Sequence, residues 1–171
     1  MANLDQLPHI EPIIPIPWGE PFDDPAWAFE PKYDGFRGLL YIANGRARFR
    51  SRNGREFGRF TGLADLLRRQ LDAREAILDG EILSLDASGL PSFAALMRGT
   101  GRLAYATFDC LWLNGRDLRP LPLAARKRRL GMLVPDSAGT LFRAFTHEGL
   151  GHELFEAACA HDLEGIAVTE P

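Results

Sequence analysis

The sequence predicts an α+β fold with two antiparallel β-sheets and flanking helices. Short apolar segments with strand-like alternation are interspersed with segments of helical spacing. Asn-Gly pairs at 44–45 and 114–115 are typical of tight turns between neighbouring strands. With 171 residues, of which 46% are hydrophobic, the chain can bury a substantial core. These observations favour hairpins packed against helices within one domain.

The predicted elements follow from these patterns in chain order. Residues 1–25 are rich in proline and are interpreted as an extended N-terminal arm, ahead of a domain over 26–171. Strands are predicted over 26–31, 36–43, 46–52, 76–85, 102–113, 141–145 and 165–169. Helices are predicted over 61–71, 91–98, 123–133 and 148–161. In the first of these helices, Leu63, Leu66 and Leu67 have the spacing of an inward face.

Composition and charge exclude several classes of protein. The net charge is −3 and the pI about 5.8, which excludes a uniformly basic coat for nucleic acid but leaves room for a local basic patch. Cys110 and Cys159 match neither a disulfide scaffold nor a zinc site. No segment resembles a signal peptide or a membrane span, so a cytoplasmic protein of bacterial type, with no membrane partner, is expected.

Lysine is rare in this chain. Of its 20 basic residues, 18 are arginine, and Lys32 and Lys127 are the two lysines. Lys32 lies between Glu30 and Asp34, at the end of a predicted strand and just before an Asp-Gly turn. An amine is a nucleophile only without its proton, a form that nearby cations such as Arg37 or a metal ion favour. The position suits a nucleophile, and a surface lysine in a polar turn is the alternative.

Acidic and aromatic residues on predicted strands are further candidates. Asp79 and Glu81 share one face of an otherwise apolar strand, where two carboxylates are costly unless they are exposed or bind cations. Gly80 between them leaves room for a ligand or another backbone, and a half-exposed edge strand is the alternative interpretation of the segment. Phe108 either stacks on a base or belongs to the core. Glu164, before the last strand, is by itself typical of a surface acid.

Four arginines alternate along the predicted strand 46–52. Because side chains on a strand alternate between faces, the guanidinium groups fall on one face, and we call this set the arginine stripe: Arg46, Arg48, Arg50 and Arg52. Such a stripe suits the phosphate backbone of nucleic acid. A solvated hairpin face is the alternative. The basic run 126–129 is interpreted as a solvated helix face.

Five short motifs together resemble those of covalent nucleotidyltransferases, in order and in spacing. The segment 32–37, K-Y-D-G-F-R, resembles the K-x-D-G-x-R signature, and its context 27–37 resembles bacterial ATP-dependent DNA ligases in particular. Four further segments of this sequence resemble the other motifs of the family. They are S-R-N-G at 51–54, L-D-G-E-I at 78–82, F-D-C-L at 108–111 followed by L-N-G at 113–115, and E-G-I at 164–166. The chain is thereby identified as a member of the adenylation-domain family of these ligases.

The resemblance implies an ATP-grasp-like fold in which two antiparallel sheets cup a nucleotide cleft. Lys32 would attack the α-phosphate of ATP and form lysyl-AMP. Glu30 would help to read adenine and Phe108 would stack on it. The AMP would then pass to the 5′-phosphate of a nick in DNA, in repair or replication, so that ATP and nicked DNA are the implied partners.

The remaining implied roles concern charge. Arg37 and Arg52 would lie near the ribose, the phosphates or the nick. Glu81 would touch ribose or a metal ion, and Glu164 would hold the metal ion, Mg²⁺ or Mn²⁺. The arginine stripe would contact DNA, and the protein would associate with the nucleoid when bound there.

The sequence departs from the family pattern at its C-terminal end. Thr169 stands where family members carry a lysine, and no lysine follows Lys127. The fifth motif and the C-terminal OB-fold of the family are therefore expected to be missing from this chain. Losing one preorganised donor costs about 10²–10³ in rate, so slow adenylation or none, and no independent nick sealing, are expected. An OB-fold or other repair proteins would have to complete the reaction.

Two other functions remain open at this stage. The chain is alternatively a non-catalytic module that binds adenylate or a nick and has lost turnover. It is also compatible with an RNA ligase or a capping-type guanylyltransferase, since these enzymes share K-x-D-G. The F-D motif at 108–109 and the Glu30-Pro31 pair before the lysine favour the DNA ligase interpretation.

Overall fold

The structure is a computed structural model that describes residues 3–17, 19–134, 139–161 and 163–169. The chain divides into two compact units. Unit 1 comprises Met1–Pro12 and Gly35–Arg143, and unit 2 comprises Ile13–Asp34 and Ala144–Pro171. The division into an arm over 1–25 and a domain over 26–171 stays a prediction, and both segments include residues outside the described ranges.

Nine strands and four α-helices form within the described residues. The strands are β1 (Asp23–Lys32), β2 (Phe36–Ala43), β3 (Arg46–Ser51), β4 (Glu75–Leu85), β5 (Arg102–Leu113), β6 (Arg116–Asp117), β7 (Leu141–Arg143), β8 (His147–Leu150) and β9 (Gly165–Thr169). The helices are α1 (Thr61–Gln70), α2 (Phe93–Arg98), α3 (Leu123–Leu133) and α4 (Gly151–Ala160).

Unit 1 is built on a six-stranded sheet with the order β3-β2-β4-β5-β6, in which β7 pairs with β5. The β2–β3 hairpin turns at the Asn44-Gly45 pair, as predicted, and Asn44 has the positive φ of 50° that such a turn requires. The pairs β2–β3, β2–β4, β4–β5 and β5–β6 are antiparallel. The β5–β7 pair is parallel, a difference from the purely antiparallel sheets that the sequence predicts.

The sheet of unit 1 is buried on both faces because apolar residues alternate toward two clusters. On one face Leu40, Ile42 and Leu78 pack with residues of α1, α2 and α3. On the other face, apolar residues of the N-terminal arm pack against the sheet and form the second cluster. Strands buried on both faces carry nearly continuous apolar runs, as β2 and β4 do.

Three apolar residues of the arm pack against the second face of that sheet. Leu4, Leu7 and Ile10 are 8%, 6% and 3% exposed and contact a cluster that includes Tyr41 and Ile77. The Ile10 N–H donates to the Tyr41 hydroxyl at 3.2 Å. Residues 3–12 of the arm are therefore part of the core of unit 1.

Unit 2 contains a three-stranded sheet with the order β8-β1-β9, in which both pairs are antiparallel. Helix α4 packs on β1 and β9 and buries Leu154 and Ala158. Lys32, the last residue of β1, lies opposite Gly165, the first residue of β9. This register brings Lys32, the first residue of the motif at 32–37, next to the start of the last strand.

The predicted α+β class with antiparallel sheets and flanking helices is confirmed, and most elements form within a few residues of their predicted bounds. The first strand begins earlier than predicted, at Asp23 rather than residue 26. The start of the last predicted helix is wrong, because His147–Leu150 pairs with β1 as a strand and the helix begins only at Gly151. Tertiary pairing overrides the helical spacing there. Within the described residues, no helix is both long and apolar enough to cross a membrane.

We predict that the arm contributes to the stability of unit 1. Replacing Ile10, which is 3% exposed, by alanine should lower the free energy of unfolding by about 2–4 kcal/mol, because it removes buried methyl groups and leaves a cavity. Urea denaturation measures the change. The control is Ile14→Ala, since Ile14 is 65% exposed. Equal losses in the two variants would contradict a packed arm.

We also predict that the two cysteines differ in reactivity. Burial raises the pKa of the Cys110 thiol to about 12, with a smaller contribution from the negative charge of Asp109. Cys159 is exposed on α4. Iodoacetamide at about pH 8 should therefore alkylate Cys159 quickly in the folded chain and Cys110 only after denaturation, since the thiolate is the reactive form. Two fast thiols in the native protein, counted by mass spectrometry, would contradict this assignment.

Candidate functional site

Lys32 and Glu164 form the polar end of the sheet in unit 2. Strand β1 ends at Lys32, and Glu164 immediately precedes β9. Because Lys32 is in register with Gly165, its ammonium group lies beside the Glu164 carboxylate and donates a hydrogen bond to Oε2. The two side chains are 48% and 44% exposed. A primary amine and a carboxylate thus meet at an accessible position.

Glu30 lies two residues before Lys32, so both point to the same face of β1. Glu30 is only 8% exposed, and the Thr146 hydroxyl donates to its Oε1 at 2.7 Å. A buried carboxylate needs such a partner, because burial without hydrogen bonds is costly. The structure therefore brings together, within unit 2, the predicted site residues Glu30, Lys32 and Glu164.

Arg37 and Asp79 form a buried ion pair in unit 1. The Arg37 Nε and Nη2 groups donate to the two oxygens of Asp79 at 3.1 and 2.8 Å. The side chains are 21% and 5% exposed. Burial lowers the pKa of Arg37, but the hydrogen bonds and negative charge of Asp79 outweigh that effect and raise its pKa above the ordinary value. The guanidinium is therefore a fixed positive charge.

Glu81 and Phe108 lie around the same arginine. Glu81 is directly opposite Arg37 in the β2–β4 register and shares a strand face with Asp79, as the alternation predicts. The Arg37 guanidinium carbon lies over the Phe108 ring, 5.3 Å from its centroid. At that distance the cation is attracted to the ring face. Unit 1 thus gathers a cation, two carboxylates and a partly exposed aromatic ring on one sheet face.

Two glycines of the motifs are required by close packing. A Cβ at Gly35 would lie 2.3 Å from the carbonyl oxygen of Ile82. A Cβ at Gly80 would lie 2.4 Å from the carbonyl oxygen of Ala106. Of the two occupants that the sequence allows beside Gly80, a ligand or another backbone, the structure shows the backbone of the neighbouring strand β5.

Phe108 is the extra residue of a β-bulge in β5. Asp79 pairs with Asp109 and Gly80 pairs with Thr107, so Phe108 lies between two consecutive pairs. A bulge locally redirects the side chain and interrupts the hydrogen-bond ladder. Phe108 is half-buried, unlike its buried neighbours on either side.

The basic run 126–129 is only partly the solvated face that the sequence predicts. Arg128 and Arg129 are exposed. Arg126 instead pairs with Asp109 at 2.9 Å, with 12% of its side chain exposed, and Lys127 donates to the Phe108 carbonyl oxygen at 3.1 Å. The solvated-face interpretation is therefore wrong for these two residues, because α3 packs against β5.

The arginine stripe lies on the sheet face that the arm covers. Arg46 is exposed, and so is Arg52, which lies in the turn after β3 rather than on the strand. Arg48 is partly buried and pairs with Asp5 of the arm at 2.5 Å, and Arg50 lies over the Tyr41 ring at 5.0 Å. Half of the stripe is thus already engaged with the protein's own residues.

The residues suggested for a metal ion have suitable chemistry. Mg²⁺ prefers oxygen ligands and is commonly held by one or two carboxylates together with substrate phosphates. Glu81 is half-buried and Glu164 is exposed, so each offers carboxylate oxygens of this kind. Among the described residues, no group of three or more His, Cys, Asp and Glu side chains forms a complete cage. Each carboxylate by itself fits a metal ion whose other ligands come from nucleotide phosphates.

Comparison with known proteins decides the family. The family model described as "ATP dependent DNA ligase domain" matches residues 20–171. The chain belongs to this ATP-dependent DNA ligase family. The resemblance drawn from the five motifs is thereby confirmed, and the match includes most of each unit of the ligase domain.

Curated relatives extend this assignment. The ligase domain is 34% identical over 142 residues to the multifunctional non-homologous end joining DNA repair protein LigD of Mycobacterium tuberculosis, covering 82% of this chain and 18% of that protein. It is 38% identical over 183 aligned positions to DNA ligase C1 of Mycolicibacterium smegmatis, covering 96% of this chain and 52% of the relative. The chain thus spans from under a fifth to about half of these relatives.

Solved structures share the fold. The crystal structure of the ligase domain of M. tuberculosis LigD matches with a TM-score of 0.69 and 31% identity, covering 86% of this chain and 50% of that one. A mycobacterial DNA ligase D complexed with ATP and MES matches with a TM-score of 0.70, covering 86% of this chain and 49% of that one. The nucleotidyltransferase fold implied by the motifs is confirmed.

Sequence reasoning missed several partners in this ligase domain. The sequence pattern shows only that Asp79 shares a strand face with Glu81, because its pairing with Arg37 depends on the β2–β4 register. Thr146 lies far along the chain from Glu30, and no pattern links them. The contact of Arg126 with Asp109 was hidden because a basic run on a helix is more typical of a solvated face.

We predict that Asp79→Ala destabilises the ligase domain by about 3 kcal/mol, because it leaves the mostly buried Arg37 guanidinium without its carboxylate. The matched control is Asp117→Ala, which breaks the more exposed pair with Arg119 and should cost no more than about 1 kcal/mol. Chemical denaturation measures both changes. A loss at Asp79 no larger than the loss at Asp117 would show that the buried pair has no special role.

Proposed function

We propose that this ligase domain transfers AMP from ATP to Lys32. The Lys32 Nζ attacks the α-phosphorus, a nitrogen–phosphorus bond forms, and the bond to pyrophosphate breaks with pyrophosphate leaving. The product is lysyl-AMP. Membership of the ligase family supports the reaction class, and the roles of individual residues are part of the proposal.

The contact between Lys32 and Glu164 carries the proposal. Of the two lysines in the chain, Lys32 is the one in the K-x-D-G-x-R segment, and its side chain is about half exposed. The ammonium group must lose one proton before Nζ can attack, and Nζ loses a second as the nitrogen–phosphorus bond forms. The Glu164 carboxylate is the acceptor that lies against that atom, and the half-exposed position lets solvent accept the other proton. A nucleophile with an adjacent acceptor is the arrangement that covalent catalysis needs.

Several residues besides Lys32 are proposed to contact the nucleotide. Phe108 offers a partly exposed ring for stacking on adenine, a contact worth about 1–3 kcal/mol per base. Arg37 is a fixed cation suited to ribose or phosphate oxygens, and Arg52 is an exposed cation in the turn after β3. Glu30, held by Thr146, is proposed to read adenine largely through its backbone.

Glu81 and Glu164 are each proposed as a carboxylate ligand for a divalent metal ion, Mg²⁺ or Mn²⁺. When bound, the ion would neutralise negative charge on the transferring phosphoryl group. The residues themselves supply carboxylate oxygens, and Arg37 adds a positive charge that needs no metal ion.

Nicked DNA is proposed as the acceptor of AMP, in the cytoplasm and on the nucleoid. The name of the M. tuberculosis relative, a non-homologous end joining DNA repair protein, supports a role in repair. The exposed arginines Arg46 and Arg52, together with Arg50, are proposed to contact DNA phosphates, while Arg48 is held by Asp5. An OB-fold or other repair proteins are proposed as further partners in sealing.

We predict that incubation with ATP and Mg²⁺ adds the mass of one AMP to the chain. Intact-mass spectrometry detects the adduct, and peptide mapping should place it on the peptide that contains Lys32. The Lys32→Ala variant should gain nothing, because it lacks the amine. Thermal unfolding of the variant serves as the folding control.

Other outcomes would select the alternatives. ATP binding without an adduct would contradict the enzyme and support a non-catalytic adenylate-binding module. An adduct from GTP in preference to ATP would support a capping-type guanylyltransferase. Sealing of RNA but not DNA strands after adenylation would support an RNA ligase.

A further inference from the structure

Helix α3 directs two cations at the strand segment that carries Phe108. Arg126 donates from Nε to both oxygens of Asp109, at 2.9 and 3.1 Å, and from Nη2 to Oδ2 at 2.9 Å. Its Nη1 donates to the Leu121 carbonyl oxygen at 2.6 Å. A guanidinium fixed by this many hydrogen bonds holds the carboxylate in one orientation.

Lys127 holds the neighbouring backbone. Its Nζ donates to the Phe108 carbonyl oxygen at 3.1 Å. Phe108 is the extra residue of the bulge, and a bulged residue is left out of the regular ladder. A hydrogen bond from outside the sheet therefore limits how the peptide at this position can rotate.

A third hydrogen bond tightens the same segment. The Asp109 carboxylate also accepts from the Cys110 N–H at 2.8 Å. The Asp109 side chain is thus held by the Cys110 N–H and by Arg126. The Phe108 backbone is held by Lys127. On the other side, Arg37 contacts the ring at 5.3 Å and is itself held by Asp79.

We propose that Arg126 and Lys127 are positioning residues that fix the bulge of β5 and thereby orient the Phe108 ring for adenine. This inference rests on the proposed stacking role of Phe108. Neither cation needs to touch the nucleotide, since both act through the backbone and carboxylate of residues 108 and 109. A preoriented ring loses less entropy when a base stacks on it.

The test measures binding by the full chain with Mg²⁺ and two ligands. The first is α,β-methylene-ATP, which has a base but cannot release pyrophosphate. The second is inorganic tripolyphosphate, which has no base. The variants are Phe108→Leu, Lys127→Met, Lys127→Arg and the double variant of Phe108→Leu with Lys127→Met, and thermal unfolding confirms that each one folds.

Lys127→Met should weaken binding of the nucleotide analogue on the order of threefold to tenfold and leave tripolyphosphate binding unchanged, because only the base uses the ring. Lys127→Arg should retain most of the affinity, since it keeps a donor. The matched control Arg128→Met removes one charge from an exposed position of the same helix and should leave the affinity for both ligands unchanged. The double variant should bind no more weakly than Phe108→Leu alone.

Several results would overturn the inference. The inference fails if Lys127→Met weakens the binding of both ligands equally, or weakens the binding of neither. It also fails if Lys127→Met adds its full effect to that of Phe108→Leu in the double variant. If Phe108→Leu weakens analogue binding and Lys127→Met does not, the proposed function stands and this inference alone fails. If Phe108→Leu binds like the unsubstituted chain, or the unsubstituted chain does not bind the analogue, the stacking role fails and this inference fails with it.

Discussion

The buried ion pair between Arg37 and Asp79 determines how the polar face of unit 1 is arranged. A guanidinium and a carboxylate that are largely removed from water must meet, because either one alone would carry an uncompensated charge. Their hydrogen bonds of 3.1 and 2.8 Å are compatible with one register of β2 on β4. A slip of β2 by one residue would turn Arg37 toward the apolar cluster on the other face and away from Asp79. Glu81 and the ring of Phe108 are placed around the same guanidinium.

The same sheet face is divided between packing and chemistry. The arm covers the part that contains Tyr41 and Ile77, whereas the part with Arg37 and Asp79 carries polar side chains. One pleated surface thus provides both a hydrophobic contact for the arm and a group of fixed charges. The arm also takes up part of the positive charge of β3, since Asp5 pairs with Arg48, whose hydrogen bond and positive charge lower the pKa of that carboxyl.

Much of the fold could be predicted from the sequence because its turns and strands depend on residues that are close together in the chain. The Asn44-Gly45 turn and the alternation in β2 and β4 are local signals, and the structure follows them. Strand β8 and the parallel β5–β7 pair depend on partners far along the chain, which no local pattern specifies. Of the candidate site, Lys32 and the residues that surround it in the motif could be singled out by their rarity and by resemblance. Their partners could not, because ion pairs such as that of Arg126 depend on how a helix packs on a strand.

Transfer of label from ATP to the chain tests most directly whether Lys32 becomes covalently linked to AMP. With ATP radiolabelled at the α-phosphate, we expect label that remains on the denatured chain, is lost in acid as a nitrogen–phosphorus bond should be, and returns to ATP when pyrophosphate is added. ATP labelled at the γ-phosphate should leave no label. Label from the γ-phosphate, or label from the α-phosphate that persists in Lys32→Ala, would contradict the account.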